Sequence, residues 1–148
     1  MKKIIYPIVL ISLVLTCSCC KSSKKNVKNG QFPLINTQWM LESIEGEEIG
    51  TDYALRPFIQ FDSSYNITGS LGCNSLFGTY TVNKKDKMTI HYTGSTKRLC
   101  QQMSVERNFI KALKKDINRY EIKGDKLILF FEDKEVISFK GVDLNAVE

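Results

Sequence analysis

The sequence predicts an α+β domain in which a strongly curled antiparallel β-sheet, a partly closed barrel, packs against one amphipathic helix. Two observations predict this class. Short runs of alternating apolar and polar residues follow one another between turn signals, which is the pattern of successive hairpins. One segment, near residues 104–115, has helical periodicity instead. The chain has 148 residues, a length that suits one folded domain, and the helix is expected to cover the opening of the curled sheet.

The first 18 residues have the layout of a secretory signal peptide. Lys2 and Lys3 form a basic start, and residues 4–15 (IIYPIVLISLVL) form an apolar run that is too short to span a bilayer stably. Cysteines follow at positions 17, 19 and 20. This stretch resembles the lipobox of bacterial lipoproteins, in which small residues precede a cysteine that is acylated and becomes the new N-terminus.

Cys19 is the predicted lipidation site, because the residue before it, Ser18, is small. Cys17 is the runner-up, because the bulkier Thr16 precedes it. Two or more acyl chains, such as palmitate, give near-permanent membrane attachment. We therefore expect the protein in the bacterial cell envelope, lipid-anchored, in the outer membrane facing the periplasm.

A flexible basic tether is predicted at residues 19–35, because this stretch is polar and has few apolar residues to bury. The predicted domain covers residues 36–141, and residues 142–148 form a C-terminal tail. The formal net charge is +5, but the surplus lies in the signal peptide and the tether. The domain itself is close to neutral, which argues against a nucleic-acid partner.

The predicted elements follow in order along the domain. Strands are expected at residues 39–44, 58–62, 66–70, 77–82, 88–92, 119–122, 126–131 and 136–140. Trp39 is expected in the core, with a ligand platform as the alternative, and Gly124-Asp125 is a tight-turn signal. Ser104 is the predicted N-cap of the helix, and Glu106 lies in its first turn, where the helix dipole favours a negative charge.

Several stretches together resemble a known family. They are Trp39-Met-Leu, the run from Gly69 to Tyr80 (GSLGCNSLFGTY), Thr96-x-x-x-Cys100 and Leu127-x-Leu129. Their types and order resemble the META domain, the module of the HslJ-like family and of many exported bacterial lipoproteins, over about residues 36–141. One departure is Lys97-Arg98-Leu99, where the family often has Met and Ala.

The resemblance implies a small α+β domain in the cell envelope and implies no reaction. We therefore expect a non-enzymatic domain with a binding or stress-related accessory role. The expected partners are the membrane, through the N-terminal lipid, and an envelope protein, peptide or lipid. The sequence sets no oligomeric state.

Cys73 and Cys100 are the cysteines of the predicted domain. Because an oxidising periplasm favours disulfides, we expect them to pair, and two buried reduced thiols are the alternative. The glycines near Cys73 permit a bulge or bend. Asn74 suits a left-handed or side-chain-capped turn.

A thiol- or His-dependent enzyme that uses Cys73 or His91 is the alternative function. His91 is expected on the same strand face as Thr89 and Thr93, and no nucleophile motif surrounds Cys73. Two cysteines and one histidine fall short of a four-ligand structural zinc site, and no cofactor is expected. Lys97-Arg98 forms a small basic spot that suits a peptide or lipid-headgroup contact, with a plain exposed loop as the alternative.

Overall fold

The computed structural model describes residues 30–50, 56–83, 86–100 and 103–142. The predicted signal peptide, the predicted lipidation cysteines and most of the predicted tether therefore lie outside the described residues. The elements are β1 (Gln38–Ile44), β2 (Glu47–Glu48), β3 (Phe58–Phe61), β4 (Asn66–Ser70), β5 (Ser75–Val82), β6 (Met88–Ser95), α1 (Ser104–Leu113), β7 (Arg119–Lys123), β8 (Lys126–Phe131) and β9 (Lys134–Val142).

The strands form one antiparallel sheet in the order β6-β5-β4-β3-β1-β9-β8-β7, with β2 paired to β1 alone. The sheet curls into a half-barrel, and its two outer strands approach each other at one end. There, the amide of Met88 donates to the carbonyl of Asn118 at 3.2 Å, and the amide of Tyr120 donates to that of Asp86 at 3.0 Å. The predicted α+β class, with a curled antiparallel sheet and one helix, is confirmed.

Alternation along the strands directs apolar side chains to the inside of the half-barrel. Trp39 and Leu41 of β1 are fully buried, and so is Phe139 of β9. The indole N–H of Trp39 donates to the carbonyl of Leu34 at 3.0 Å, so Trp39 is a core residue with its polar atom satisfied. From α1, Phe109 packs against Phe139 with ring centroids 5.9 Å apart, which places the apolar stripe of the helix on the sheet.

Two glycines let neighbouring strands approach closely. A Cβ at Gly69 would lie 2.1 Å from the carbonyl oxygen of Phe58, and a Cβ at Gly78 would lie 2.7 Å from that of His91. The register between β5 and β6 shifts beside Gly78, which is a β-bulge of the kind that bends a strand. The glycines of the GSLGCNSLFG run therefore shape the curl of the sheet.

An ordered arm, residues 30–35, precedes β1 and packs on the sheet. The ring of Phe32 lies edge-on to Trp39 with centroids 6.4 Å apart, and its amide donates to the carbonyl of Gly124 at 2.9 Å. Ile35 forms an isolated parallel bridge with Phe61. The packed chain thus begins several residues before the predicted domain start at residue 36.

The two ends of the half-barrel differ, because neighbouring strands run in opposite directions. One end, called the arm end here, carries the β3–β4, β5–β6 and β7–β8 turns together with the arm. The opposite end, the helix end, carries the β4–β5 connection, the loop of residues 96–100 that follows β6, and α1.

One local prediction is wrong. Ser104 is the first helical residue rather than the N-cap; the N-cap is Met103, and no side chain caps the helix. Glu47 and Glu48 form the short strand β2, and both are exposed.

Candidate functional site

The candidate site lies at the helix end, where the β4–β5 connection meets the loop of residues 96–100 and the first turn of α1. Asn74 is at its centre. This side chain is 1% exposed and sits beneath Arg98, one of the residues of the basic spot. The motif that the sequence singled out around Cys73 is therefore a junction of three segments.

The amide group of Asn74 uses its whole hydrogen-bonding capacity of two acceptor sites and two donors. Its Oδ1 accepts from the amide of Arg98 at 2.7 Å and from the hydroxyl of Thr96 at 2.8 Å. Its Nδ2 donates to the carbonyl of Arg98 at 3.1 Å and to Oε1 of Glu106 at 2.8 Å. Because Arg98 is bound through both its backbone groups, Asn74 fixes the loop as a neighbouring strand would.

Glu106 is the buried acid of this junction, at 4% exposure. Besides the contact with the Asn74 side chain, its Oε2 accepts from the Asn74 backbone amide at 3.1 Å. It lies in the first turn of α1, as predicted, and the positive end of the helix dipole favours its charge there. Its larger role, holding the β4–β5 connection to the helix, was not predicted from the sequence.

Cys73 and Cys100 form a disulfide pair in this structure, with Cα atoms 6.3 Å apart, within the range that a disulfide spans. The guanidinium of Arg98 also donates to the carbonyl of Cys73 at 2.6 Å. A paired sulfur is neither a nucleophile nor a metal ligand, because both roles need the thiolate. Whether the pair is oxidised in the cell stays a prediction that chemistry on the protein must test.

Asn74 lies in the predicted turn, in the bend of residues 72–74, but the left-handed backbone offered for it is wrong. The left-handed position of the connection is Gly72, with φ of 108°, while Asn74 holds the network. A sequence signal for the network did exist. Glu106 lies three residues before Phe109, on the apolar stripe of α1, and a charged residue on a buried stripe needs a polar partner.

His91, the residue of the enzymatic alternative, lies apart from this junction. His91 is exposed on β6 opposite Thr79, four residues along β5 from Ser75, so it is not brought to Cys73. Glu45 forms an ion pair with Lys115; this hydrogen bond and the lysine charge lower the pKa of the Glu45 carboxyl. Within the described part of the chain, no three His, Cys, Asp or Glu side chains are grouped to hold a metal ion.

Two of the clefts among the described residues are open to solvent. One of about 440 Å³ lies beside the buried hydroxyl pair of Ser43 and Ser138, and one of about 640 Å³ lies between the arm and β7. The inside of the half-barrel is filled by core side chains. Among the described residues, no helix has the length and apolar character to cross a bilayer.

The profile of the META domain matches residues 32–143, nearly all of the chain that carries the fold. The chain belongs to the META domain family. This confirms the resemblance drawn from the Gly69–Tyr80 run. Among curated proteins, no relative matches the chain.

Solved structures share the fold of this META domain. An NMR structure of a protein from Burkholderia xenovorans is 19% identical with a TM-score of 0.59, and the match covers 74% of this chain and 83% of that one. A crystal structure of a DUF4847 family protein from Bacteroides vulgatus is 20% identical with a TM-score of 0.56, covering 72% and 93%. A further NMR structure is 22% identical with a TM-score of 0.55, covering 74% and 92%. At these identities the likeness concerns the fold alone.

Proposed function

We propose that the protein is a lipid-anchored lipoprotein of the bacterial cell envelope whose META domain is a non-enzymatic binding module. Cys19 carries the lipid, with Cys17 as the runner-up. The half-barrel is a partly closed, rigid scaffold, supported by the two backbone hydrogen bonds that join its outer strands near Asp86 and Met88.

The observation that carries the binding proposal is the complete use of the Asn74 amide by its own chain. A catalytic group must leave a lone pair or proton available to a substrate. The Asn74 amide has none left, the carboxylate of Glu106 is buried under it, and the sulfurs of Cys73 and Cys100 are paired. The geometry therefore supports a junction that positions the loop of residues 96–100 for contact with another molecule.

The envelope location rests on the N-terminal sequence and is compatible with the arm. Residues 30–35 pack at the arm end, where the amide of Phe32 donates to the carbonyl of Gly124, so a tether joins the domain at the end opposite the helix end. The filled interior argues against a lipid inside the half-barrel, and leaves the outer surface as the place for an envelope partner.

Metabolic labelling with an alkyne fatty acid tests the anchor directly. The full-length chain, made in a bacterial host with a lipoprotein pathway, is compared with the variants Cys17→Ala and Cys19→Ala. Label is expected in the parent and in Cys17→Ala and is expected to be lost in Cys19→Ala. An unlabelled parent chain overturns the lipoprotein proposal, while loss in Cys17→Ala alone moves the anchor to that residue.

A stress-related accessory role is the finer part of the proposal. It predicts that a strain lacking this chain grows normally in rich medium and loses viability under envelope stress, such as detergent or heat. The parent chain must restore viability, and so must a His91→Ala variant, since the proposal gives His91 no chemical role. If His91→Ala fails to complement although the protein is present at the parent level, the enzymatic alternative is favoured.

A further inference from the structure

Leu99 is the most exposed large apolar side chain in the described part of the chain, at 98%, compared with 57% for Tyr65 and 47% for Phe77. A single exposed leucine on a mobile loop is ordinary. Leu99 is different because the residues on both sides of it are fixed. Arg98 is bound to Asn74 through its backbone amide and carbonyl, and Cys100 is joined to Cys73.

Rigidity of this kind lowers the entropy that a loop loses when it binds. The loop is held by side chains inside the domain, because Asn74 and Glu106 are both buried. The chain thus uses a buried acid, a buried amide and a disulfide to hold the five exposed residues 96–100 in place. This arrangement presents the Leu99 side chain at a fixed place on the surface.

The exposed charges of the loop are of one sign, because the acid of the junction, Glu106, is buried. Lys97 and Arg98 precede it, and residues 94–105 contain no acidic residue. Lys97 is exposed and makes no ion pair with any described residue. A binding surface that complements the loop therefore combines an apolar pocket with acidic side chains at its rim.

The position of the loop favours a protein over the anchoring bilayer as the source of that surface. The loop lies at the helix end, and the arm that leads to the predicted tether leaves from the arm end. Strand β5, with 8 residues, spans roughly 25 Å at about 3.3 Å per residue. The loop therefore lies at the end of the domain that is farther from the point where the tether joins it.

We propose that residues 96–100 are a docking loop, with Leu99 as the anchor, for an envelope protein that offers an apolar pocket rimmed by acidic side chains. The proposal rests on the proposed tethered binding module and names the surface that it uses. Leu99 supplies the buried contact, and Lys97 supplies attraction at the rim, which acts mainly on the association rate and on salt dependence.

Site-specific photocrosslinking in cells tests the docking loop. p-Benzoylphenylalanine replaces Leu99 in the full-length, membrane-attached protein, and a control chain carries it at Tyr65, which is exposed at the arm end. We expect one discrete protein adduct from position 99 that is absent from position 65. Mapping of the linked peptide must place it at an apolar site with acidic neighbours.

Three further variants test the charge and the rigidity of the loop. Lys97→Glu is expected to reduce the adduct at least about threefold, because like charges then face each other, whereas Lys134→Glu, an exposed lysine on β9, leaves the yield unchanged. Replacement of both Cys73 and Cys100 by alanine is also expected to reduce the yield, because it releases one side of the loop.

The remaining outcomes overturn the docking proposal. An adduct with a second copy of this chain indicates self-association, a lipid adduct indicates a membrane-facing loop, and no adduct indicates a plain surface loop. An adduct that ignores Lys97→Glu rejects the acidic partner. The anchor is tested separately by fatty-acid labelling, so an unlabelled chain with a charge-dependent adduct at position 99 would reject the tether and retain the docking loop.

Discussion

Asn74→Ala is the substitution that probes the junction most sharply. It removes four side-chain hydrogen bonds at once and leaves the backbone amide of residue 74 to bind Glu106. The bond to the Glu106 carboxylate is buried and charge-assisted, and the two bonds to Arg98 hold the loop. Asn66→Ala is the matched control, because Asn66 is exposed and its side chain donates to Asp62 at the surface.

The expected loss follows from these contacts. A hydrogen bond to a charged group contributes about 1.5–3 kcal/mol and a neutral one about 0.5–1.5 kcal/mol. Thr96 is an exposed residue whose hydroxyl also accepts from the amide of Ser75, so the loss of its bond to Asn74 adds little. Asn74→Ala is therefore expected to lower the free energy of unfolding by about 3–5 kcal/mol, and Asn66→Ala by less than about 1 kcal/mol.

Urea unfolding of a chain that begins at Gly30, followed by circular dichroism, measures both variants. The midpoint is expected to fall strongly for Asn74→Ala at an unchanged slope, which indicates a change in stability rather than in compactness. Equal and small losses in the two variants would refute the reasoning. They would mean that water replaces the Asn74 amide without cost and that the junction is not a structural lock.

Three further predictions concern the disulfide, the sheet and one acid. Replacement of both Cys73 and Cys100, which are 27 residues apart, by alanine should lower the free energy of unfolding by about 3.5 kcal/mol according to the chain-entropy relation. Reduction of the parent chain should lower its urea midpoint in the same way, and an unchanged midpoint would contradict the prediction. Gly69→Ala should lower the free energy of unfolding by about 1–3 kcal/mol, because the new Cβ meets the carbonyl of Phe58. Gly94→Ala, the control with open space around the new Cβ, should change it by less than about 1 kcal/mol. Equal losses in the two variants would refute the close approach of the strands at Gly69. Hydrogen bonds from Asn66 lower the pKa of Asp62 from its ordinary 3.8 in the folded state. The contribution of the Asp62 carboxylate to the stability of the fold is therefore complete above pH 3.8. It is lost as the pH falls through the lower pKa of the folded state. Asp62→Asn should show a smaller loss of stability than the parent between pH 5 and pH 2, and parallel curves would contradict the assignment.

The sheet was predictable because its signals are local. Alternation placed Trp39, Leu41, Ile59 and Phe61 on the inner face, and Gly124-Asp125 marked a hairpin that the structure contains. The helix was predictable from Phe109 and Leu113 at helical spacing. Each of these patterns lies within a few residues of sequence, so neighbours alone determine it.

The junction was predictable only in part, because its contacts join distant segments. Asn74 and Glu106 are 32 residues apart and Asn74 and Arg98 are 24 apart, and no local pattern pairs them. The sequence marked Cys73, Cys100 and Lys97-Arg98 as candidates but not the buried amide that connects them. Leu99 was noted only as a departure from the family pattern; its exposure depends on how the loop is held.

One measurement tests the central claim of a tethered domain with a locked junction. The full-length protein is extracted from membranes, alkylated without reduction and analysed by intact mass and peptide mapping. The account predicts an N-terminal peptide that begins at an acylated Cys19 and a linked peptide pair that contains Cys73 and Cys100. Alkylation of both Cys73 and Cys100 would contradict the locked junction and would favour the alternative of a thiol-dependent enzyme. A chain that still carries Met1 would contradict the tether.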